Sequence, residues 1–176
     1  MNMAKTKKQK ILITGGSGFI GSAITNYLVK EGHSVTVYDN NSRGKIRRLN
    51  EVKNKIKFIK GDIRNYGKLI SLSGNFDTII HLAYVNGTKF FYKKPFEILD
   101  IAVNGFLNIL KFSKERKIKN FYLASSSEVY QNPLKFPTDE KEMLKIPDIH
   151  NPRYSYGGGK IFSELYGIHF AKKYFK

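Results

Sequence analysis

Apolar residues in this chain fall into short β-branched runs, separated by stretches in which they recur every three or four positions. Ile11-Leu12-Ile13 leads into a glycine-rich turn and then into Ile20, Ile24, Leu28 and Val29, spaced to share one helical face. Ser34 to Asp39 and Lys55 to Lys60 read as further strands. Phe76 to Ala83 is a near-continuous apolar run, as in a parallel strand buried on both faces. Pro95 suits a first helical turn, and Ile98, Ile101, Ala102, Phe106, Ile109, Leu110 and Ser113 follow at helical spacing. Asn120 to Ala124 is a fifth strand, and Ser155 to Tyr174 a last helix with Ile161, Phe162, Leu165, Tyr166, Ile168 and Phe170 as its apolar positions. Between these lie a polar loop with a short helix at 40–50, a brief helix at 65–72, a loop over a ligand site at 84–94 and a long loop at 131–152. Strands alternating with helices predict an α/β fold with a parallel sheet and right-handed crossovers.

The first turn carries Gly15, Gly18 and Gly21, spaced G-x-x-G-x-x-G. In a strand–turn–helix context the first glycine reverses the chain, the second admits a pyrophosphate, and the third lets helix and strand pack closely. The helix N-terminus then offers free N–H groups to the phosphates. Asp39 ends the second strand 18 residues beyond Gly21, where a carboxylate accepts the ribose hydroxyls of an adenine dinucleotide. It repels a 2′-phosphate, so NAD is expected over NADP, with Arg43 and Lys45 acting against that preference.

Size narrows the picture. With 176 residues, 41% hydrophobic and 14% aromatic, the chain suits one substantial core, preceded by a basic lead-in over residues 1–9 and occupying 10–176. The absence of cysteine leaves no disulfide framework or thiolate metal site and fits a reducing cytoplasm. No apolar run reaches the ~20 residues that span a bilayer, so no membrane partner is expected. A net charge of +17 invites a nucleic-acid reading, yet only six of the 31 basic residues are Arg. The lysines at 53, 55, 57, 60, 111, 114, 117 and 119 stand at solvent positions of strands and helices, so no nucleic-acid partner is expected.

Chemistry enters near the end of the chain. Ser125-Ser126-Ser127-Glu128-Val129-Tyr130 follows the fifth strand, and Tyr156 and Lys160 are four apart, on one helix face. A cation near a phenol lowers its pKa, which would let Tyr156 act as a general base near neutral pH. His81, alone at a strand end, reads as packing, and Ser125 and Ser127 as turn or cap residues.

Taken together, Thr14-Gly15-Gly16-Ser17-Gly18-Phe19-Ile20-Gly21, Asp39, Gly61-Asp62-Ile63, His81-Leu82-Ala83, Ser126 and Tyr156-x-x-x-Lys160 resemble the extended short-chain dehydrogenase/reductase family, the NAD-dependent nucleotide-sugar epimerases, dehydratases and decarboxylases. The resemblance runs from Lys10 to Lys173. It implies a Rossmann-like doubly wound sheet of order 3-2-1-4-5, without the C-terminal strands and substrate domain of the complete family. It also implies cofactor contacts from Gly15, Ser17, Gly18, Phe19, Ile20, Gly21, Asp39, Asn40, Asp62, Ile63, Leu82 and Ala83, with Tyr156 and Lys160 completing the site. Tyr156 would take the proton from a sugar hydroxyl at C4, Ser126 would bond the same oxygen, and Lys160 would hold the nicotinamide ribose. Glu128, in a Ser-x-Glu-Val-Tyr run similar to that of the dehydratases and decarboxylases, would add a second acid/base group. Ser127 stands where the glucose-type dehydratases carry Asp, and Gln131 where Gly commonly follows the Val-Tyr pair. The resemblance implies NAD as cofactor, a nucleotide sugar as substrate, and a homodimer through the helices at about 96–113 and 155–174. An NAD-binding unit without independent turnover is the alternative expectation.

Overall fold

The apolar runs pair as parallel strands. In a computed structural model, which describes residues 7–175, they are β1 (Lys10–Thr14), β2 (Ser34–Asp39), β3 (Ile56–Lys60), β4 (Thr78–His81) and β5 (Asn120–Leu123), in the order β3-β2-β1-β4-β5. The first six residues of the basic lead-in fall outside the described range. Ile13 stands opposite Val37 on one side and Ile80 on the other, so the central strand is flanked by apolar neighbours. Side-chain alternation sorts the core into two layers. Ile11, Ile13, Val35 and Val37 pack on one face with Val29 of α1 (Phe19–Lys30), whereas Leu12, Tyr38 and Ile79 pack on the other with Ile98, Ile109 and Phe112.

Helix α1 begins where expected but presents a different face. Its buried residues are Gly21, Ser22, Thr25 and Val29, while Ile20 is 64% exposed and Ile24 and Leu28 only partly covered. Small residues here let the helix sit close to the sheet, with Thr25 Oγ1 donating to the Gly16 carbonyl. The short helix α2 (Tyr66–Ile70) is capped by Asn65, whose side chain accepts the Lys68 amide at 2.9 Å.

Residues 84–94, expected as a loop, contain the helix α3 (Thr88–Lys93), which buries Phe91. Gly87, at φ +126°, turns the chain into it. The long helix that follows begins at Pro95 as read, but in three parts: α4 (Pro95–Asp100), one π-helical turn at Ile101–Gly105, and α5 (Phe106–Glu115). All of its expected inward residues are buried. The π turn widens the helix where the Ile63 side chain presses against Gly105, leaving no room for a Cβ.

The last helix, α6 (Ser155–Tyr174), has the expected bounds and the opposite polarity. It buries Ser155, Tyr156, Gly157, Gly159, Lys160 and Ser163, while Leu165, Tyr166 and Ile168 lie exposed. Among the described residues β5 pairs with β4 alone, and Tyr122 on it is 60% exposed. No helix among them is long and apolar enough to cross a membrane. The eight lysines assigned to solvent positions are all exposed.

Candidate active site

β1 lies between β2 and β4, so the chain leaves the sheet in opposite directions on either side of it, and the crevice opens at the strands' C-terminal ends. Gly15 closes it. Its amide donates to the Tyr38 carbonyl at 2.9 Å, its φ is +75°, and a Cβ there would stand 2.7 Å from the Ala83 nitrogen. A Cβ at Gly21 would collide with the Gly15 carbonyl, so the helix can start this close only on glycine. Gly15, Gly18, Asp39, Asn40, Asp62, Ile63, Leu82 and Ala83, all expected to contact the cofactor, line one cavity.

The other expected cofactor residues sit differently. Ser17 is fully buried; its amide donates to Asp39 Oδ2 at 2.9 Å and its hydroxyl bonds Asn41 Oδ1 at 3.0 Å, which fastens the glycine turn to the loop after β2. Phe19 is 85% exposed at the start of α1, outside that lining, and Gly21 serves the packing of turn on helix. Tyr84 and Val85 come from the segment read as a loop over a ligand site, and sequence reasoning missed Tyr38, Ser42, Gly44 and Ile101, which also line the cavity. The glycine triplet 157–159 at a helix start was the available signal for Tyr84: its hydroxyl occupies the space a Cβ at Gly159 would need.

Asp39 is 7% exposed, with Oδ2 held by the Ser17 amide and Oδ1 by the Asn41 amide at 2.8 Å. The two amides orient the carboxylate, and each oxygen keeps a further lone pair for a hydroxyl. Asp62 is gripped by Arg64 through Nε at 3.0 Å and Nη2 at 2.8 Å and by Asn40 at 3.0 Å. The guanidinium holds its carboxyl down at about 2. Arg64 also reaches Asp100 at 3.0 Å, tying the cavity floor to α4. With an open glycine turn, an oriented carboxylate at the second strand and a helix N-terminus facing it, the residues present fit a dinucleotide.

The side chains expected to carry the chemistry meet just beyond. Tyr156 is buried at the first turn of α6, stacked on Phe91 with centroids 5.3 Å apart and edge-on to Tyr84 at 5.0 Å. Lys160, one turn on and 4% exposed, donates to the Ala124 carbonyl at 2.7 Å. Its ammonium lies 4.1 Å from the Tyr84 ring centre and 5.8 Å from that of Tyr156. Burial pushes the Tyr156 phenol up, the Ser126 hydroxyl beside it pulls it down, and the Glu128 charge adds to the rise. Lys160 does not produce the expected depression in this geometry, because its ammonium is turned to Ala124 and Tyr84; desolvation brings Lys160 itself down to about 8.

Ser126 also caps a short turn at Ser127–Val129 by accepting the Glu128 amide at 3.2 Å, and Ser125 bonds Glu164, which agrees with a structural role for Ser125. Glu128 pairs with Arg153 at 3.4 Å, and the Gln131 side chain holds the Glu128 carbonyl. His81 is packing: Thr14 bonds its Nδ1 at 2.7 Å, Phe106 stacks on it, and burial pushes it down to about 3. Among the described residues no three His, Cys, Asp or Glu side chains gather to hold a metal.

Residues 11–176 match the family model described as NAD dependent epimerase/dehydratase family. Over 123 residues the chain is 38% identical to the UDP-N-acetyl-alpha-D-glucosaminuronate decarboxylase of Bacillus cytotoxicus, covering 70% of this chain and 38% of that protein. It is 34% identical over 134 residues to a UDP-glucose 4-epimerase of Klebsiella pneumoniae, covering 73% of this chain and 96% of that sequence. The crystal structure of UDP-glucose 4-epimerase from Brucella ovis in complex with NAD superposes with a TM-score of 0.82 at 26% identity, over 94% of this chain and 48% of that one. The chain thus spans well under half of the decarboxylase and about half of the crystallised epimerase.

Proposed function

The chain belongs to the NAD-dependent epimerase/dehydratase family, and from that premise we propose that it binds NAD in the crevice at Gly15, Gly18 and Asp39 and carries the acid–base residues for oxidising a nucleotide-linked sugar. The observation that carries the reading is the meeting of that crevice with Tyr156 and Lys160: Tyr84 lines the cavity and touches both. NAD, when bound, would accept the hydride from the sugar carbon. Tyr156 removes the proton from the C4 hydroxyl, and Ser126 holds the same oxygen. The buried phenol is a poor base until a cation approaches it, so Lys160 must turn from Ala124 toward Tyr156 and the ribose for the proton to leave. Asp39 accepts the adenosine ribose hydroxyls and disfavours a 2′-phosphate.

The alternatives left open by Glu128, epimerisation, dehydration or decarboxylation, share this first oxidation. A second reading, an NAD-binding unit without turnover of its own, is favoured by β5, which pairs with β4 alone among the described residues. A homodimer through α4–α5 and α6 is compatible with the exposed Leu165, Tyr166 and Ile168. The test is calorimetric titration of the chain with NAD and NADP, followed by absorbance at the reduced-nicotinamide band with a panel of nucleotide sugars. NAD binding that is tighter than NADP binding and lost in Asp39→Ala supports the cofactor reading. Sugar-dependent reduction distinguishes an enzyme from a cofactor unit, and binding of neither nucleotide overturns both.

A further inference from the structure

The crevice around Gly15 has the right donors for a dinucleotide and too little room for one. Its cavity volume is about 80 Å³. Pockets that take drug-sized ligands, which are smaller than a dinucleotide, run from about 300 to 1,000 Å³. One flank of the crevice is the loop after β2, with Asp39, Arg43 and Gly44; the other is the segment after β4, with Leu82, Tyr84 and Val85. Arg43 reaches from the first flank to the second. Its guanidinium carbon lies 4.6 Å from the ring centre of Phe90 on α3, and a Cβ on Gly87 would stand 3.5 Å from its Nη1. Arg43 is exposed and Phe90 half-buried, which puts the contact at the rim.

Both ends of this bridge are anchored. The Lys45 amide donates to the Ser17 carbonyl at 3.0 Å and the Ser17 hydroxyl to Asn41 Oδ1 at 3.0 Å, so the loop is pinned to the glycine turn on either side of Arg43. A Cβ on Gly44 would strike the Ser17 hydroxyl, which leaves no slack there. On α3 the next residue, Phe91, is buried and stacks on Tyr156 with centroids 5.3 Å apart. The part free to give is the guanidinium–ring contact itself. Resting on the cofactor reading given above, we propose that Arg43 and Phe90 form a clasp that holds the cofactor crevice closed and must part before the dinucleotide enters. An occupied crevice cannot keep the clasp, because the closed form has no room for the occupant. The clasp therefore competes with the cofactor, and breaking it raises the fraction of chains able to bind. An exposed cation–aromatic contact is worth a factor of about two to five in such an equilibrium. The sign separates a clasp from a grip: a side chain that held the nucleotide would weaken binding when removed.

The experiment compares the full chain with Phe90→Leu, which keeps every charge and removes the ring. NAD affinity is measured by calorimetry, and rates are measured by stopped flow with NADH, read from the fluorescence of the reduced nicotinamide. Phe90→Leu should bind about two- to fivefold tighter, all of it in faster association, with dissociation unchanged. Unaltered or weaker binding overturns the proposal, as does a gain carried by slower dissociation. A second readout comes from the unsubstituted chain labelled with ¹⁵N-arginine, with the Arg43 Nε–H signal assigned from its loss in Arg43→Lys. Before nucleotide is added, the Phe90 ring should hold that proton upfield of its position in Phe90→Leu, and NAD should abolish the difference. A signal without the ring shift, or one that keeps it at NAD saturation, overturns the clasp. Failure of NAD to bind either protein overturns the cofactor reading and the gating role with it, whereas a missing ring shift, read without nucleotide, counts against the clasp alone.

Discussion

The ammonium of Lys160 rests on the face of Tyr84, 4.1 Å from the ring centre, while donating to the Ala124 carbonyl at 2.7 Å. One contact of this kind at a buried site stabilises a cation by up to about 2 kcal/mol, less than the desolvation it opposes. Burial, opposed in part by the Glu164 charge, brings the Lys160 pKa from 10.5 down to about 8.

Stability should therefore rise with pH across that window. An unfolded chain keeps the Lys160 proton up to its ordinary pKa, whereas the folded chain releases it near 8, so between those values the unfolded state binds more protons. Below pH 8 the folded state bears the full penalty. Lys160→Met should raise stability at pH 7 by about 1–3 kcal/mol, a gain that fades toward pH 10.5. Urea denaturation of both proteins at pH 7 and 10 checks this; a variant less stable at pH 7 would mean that the carbonyl bond and the ring outweigh the burial.

Tyr84 carries a buried hydroxyl with no partner among the described residues. Such a group costs about 1–3 kcal/mol, so Tyr84→Phe should leave the denaturation midpoint unchanged or higher. Tyr84→Ala should lose about 3–5 kcal/mol, because it removes the ring that fills the space between Tyr156 and Lys160. A Phe variant that is markedly weaker would show that the hydroxyl is in use.

Asp62 makes the same sign of pH dependence in a different range, but as a group whose charged form stabilises the fold. Arg64 and Asn40 hold its carboxyl down to about 2 from 3.8, so its contribution is complete above pH 4 and is lost as the pH falls toward 2. The pair is partly exposed, which limits the effect to about 1 kcal/mol. In thermal unfolding from pH 2.5 to 6, wild type and Asp62→Asn should converge at the acid end and separate above pH 4. Parallel curves would rule the ion pair out as the cause.

Gly21→Ala is the sharpest steric test. The added methyl group meets the Gly15 carbonyl, which is fixed in turn by the Gly18 amide at 3.1 Å. Overpacking of this kind costs about 1–3 kcal/mol and moves the turn off the crevice, so NAD affinity should fall by more than stability. Equal NAD affinity in the variant would show that the turn adapts.

The strands were legible because each is a compact apolar run ended by glycine or a polar residue, and their order followed from the family that the motifs resemble. The helices were legible in extent but not in orientation. Apolar periodicity picks out Ile20 on α1 and Leu165 and Ile168 on α6, yet the faces that pack are Gly21-Ser22-Thr25 and Ser155-Gly157-Gly159-Ser163. Close backbone approach selects small residues, and a hydrophobicity pattern reads those as solvent positions. Helix α3 escaped notice because its core contacts are Phe91 and the partly buried Phe90, adjacent aromatics that give no helical period. The Glu128–Arg153 pair joins residues 25 apart across an irregular loop, and no spacing rule reaches that far.

The flank of β5 changes how the chain behaves toward copies of itself. Among the described residues β5 has one backbone edge unpaired, a template on which a second molecule can dock, and apolar ground beside it strengthens the hold. Opposing this is the surplus of positive charge, which keeps like molecules apart over a Debye length of about 8 Å at physiological ionic strength. Salt shortens that reach without weakening the apolar contact, so the chain should be most monodisperse in dilute buffer and self-associate as salt is added. The exposed lysines of the strands and helices would then serve as its colloidal shield.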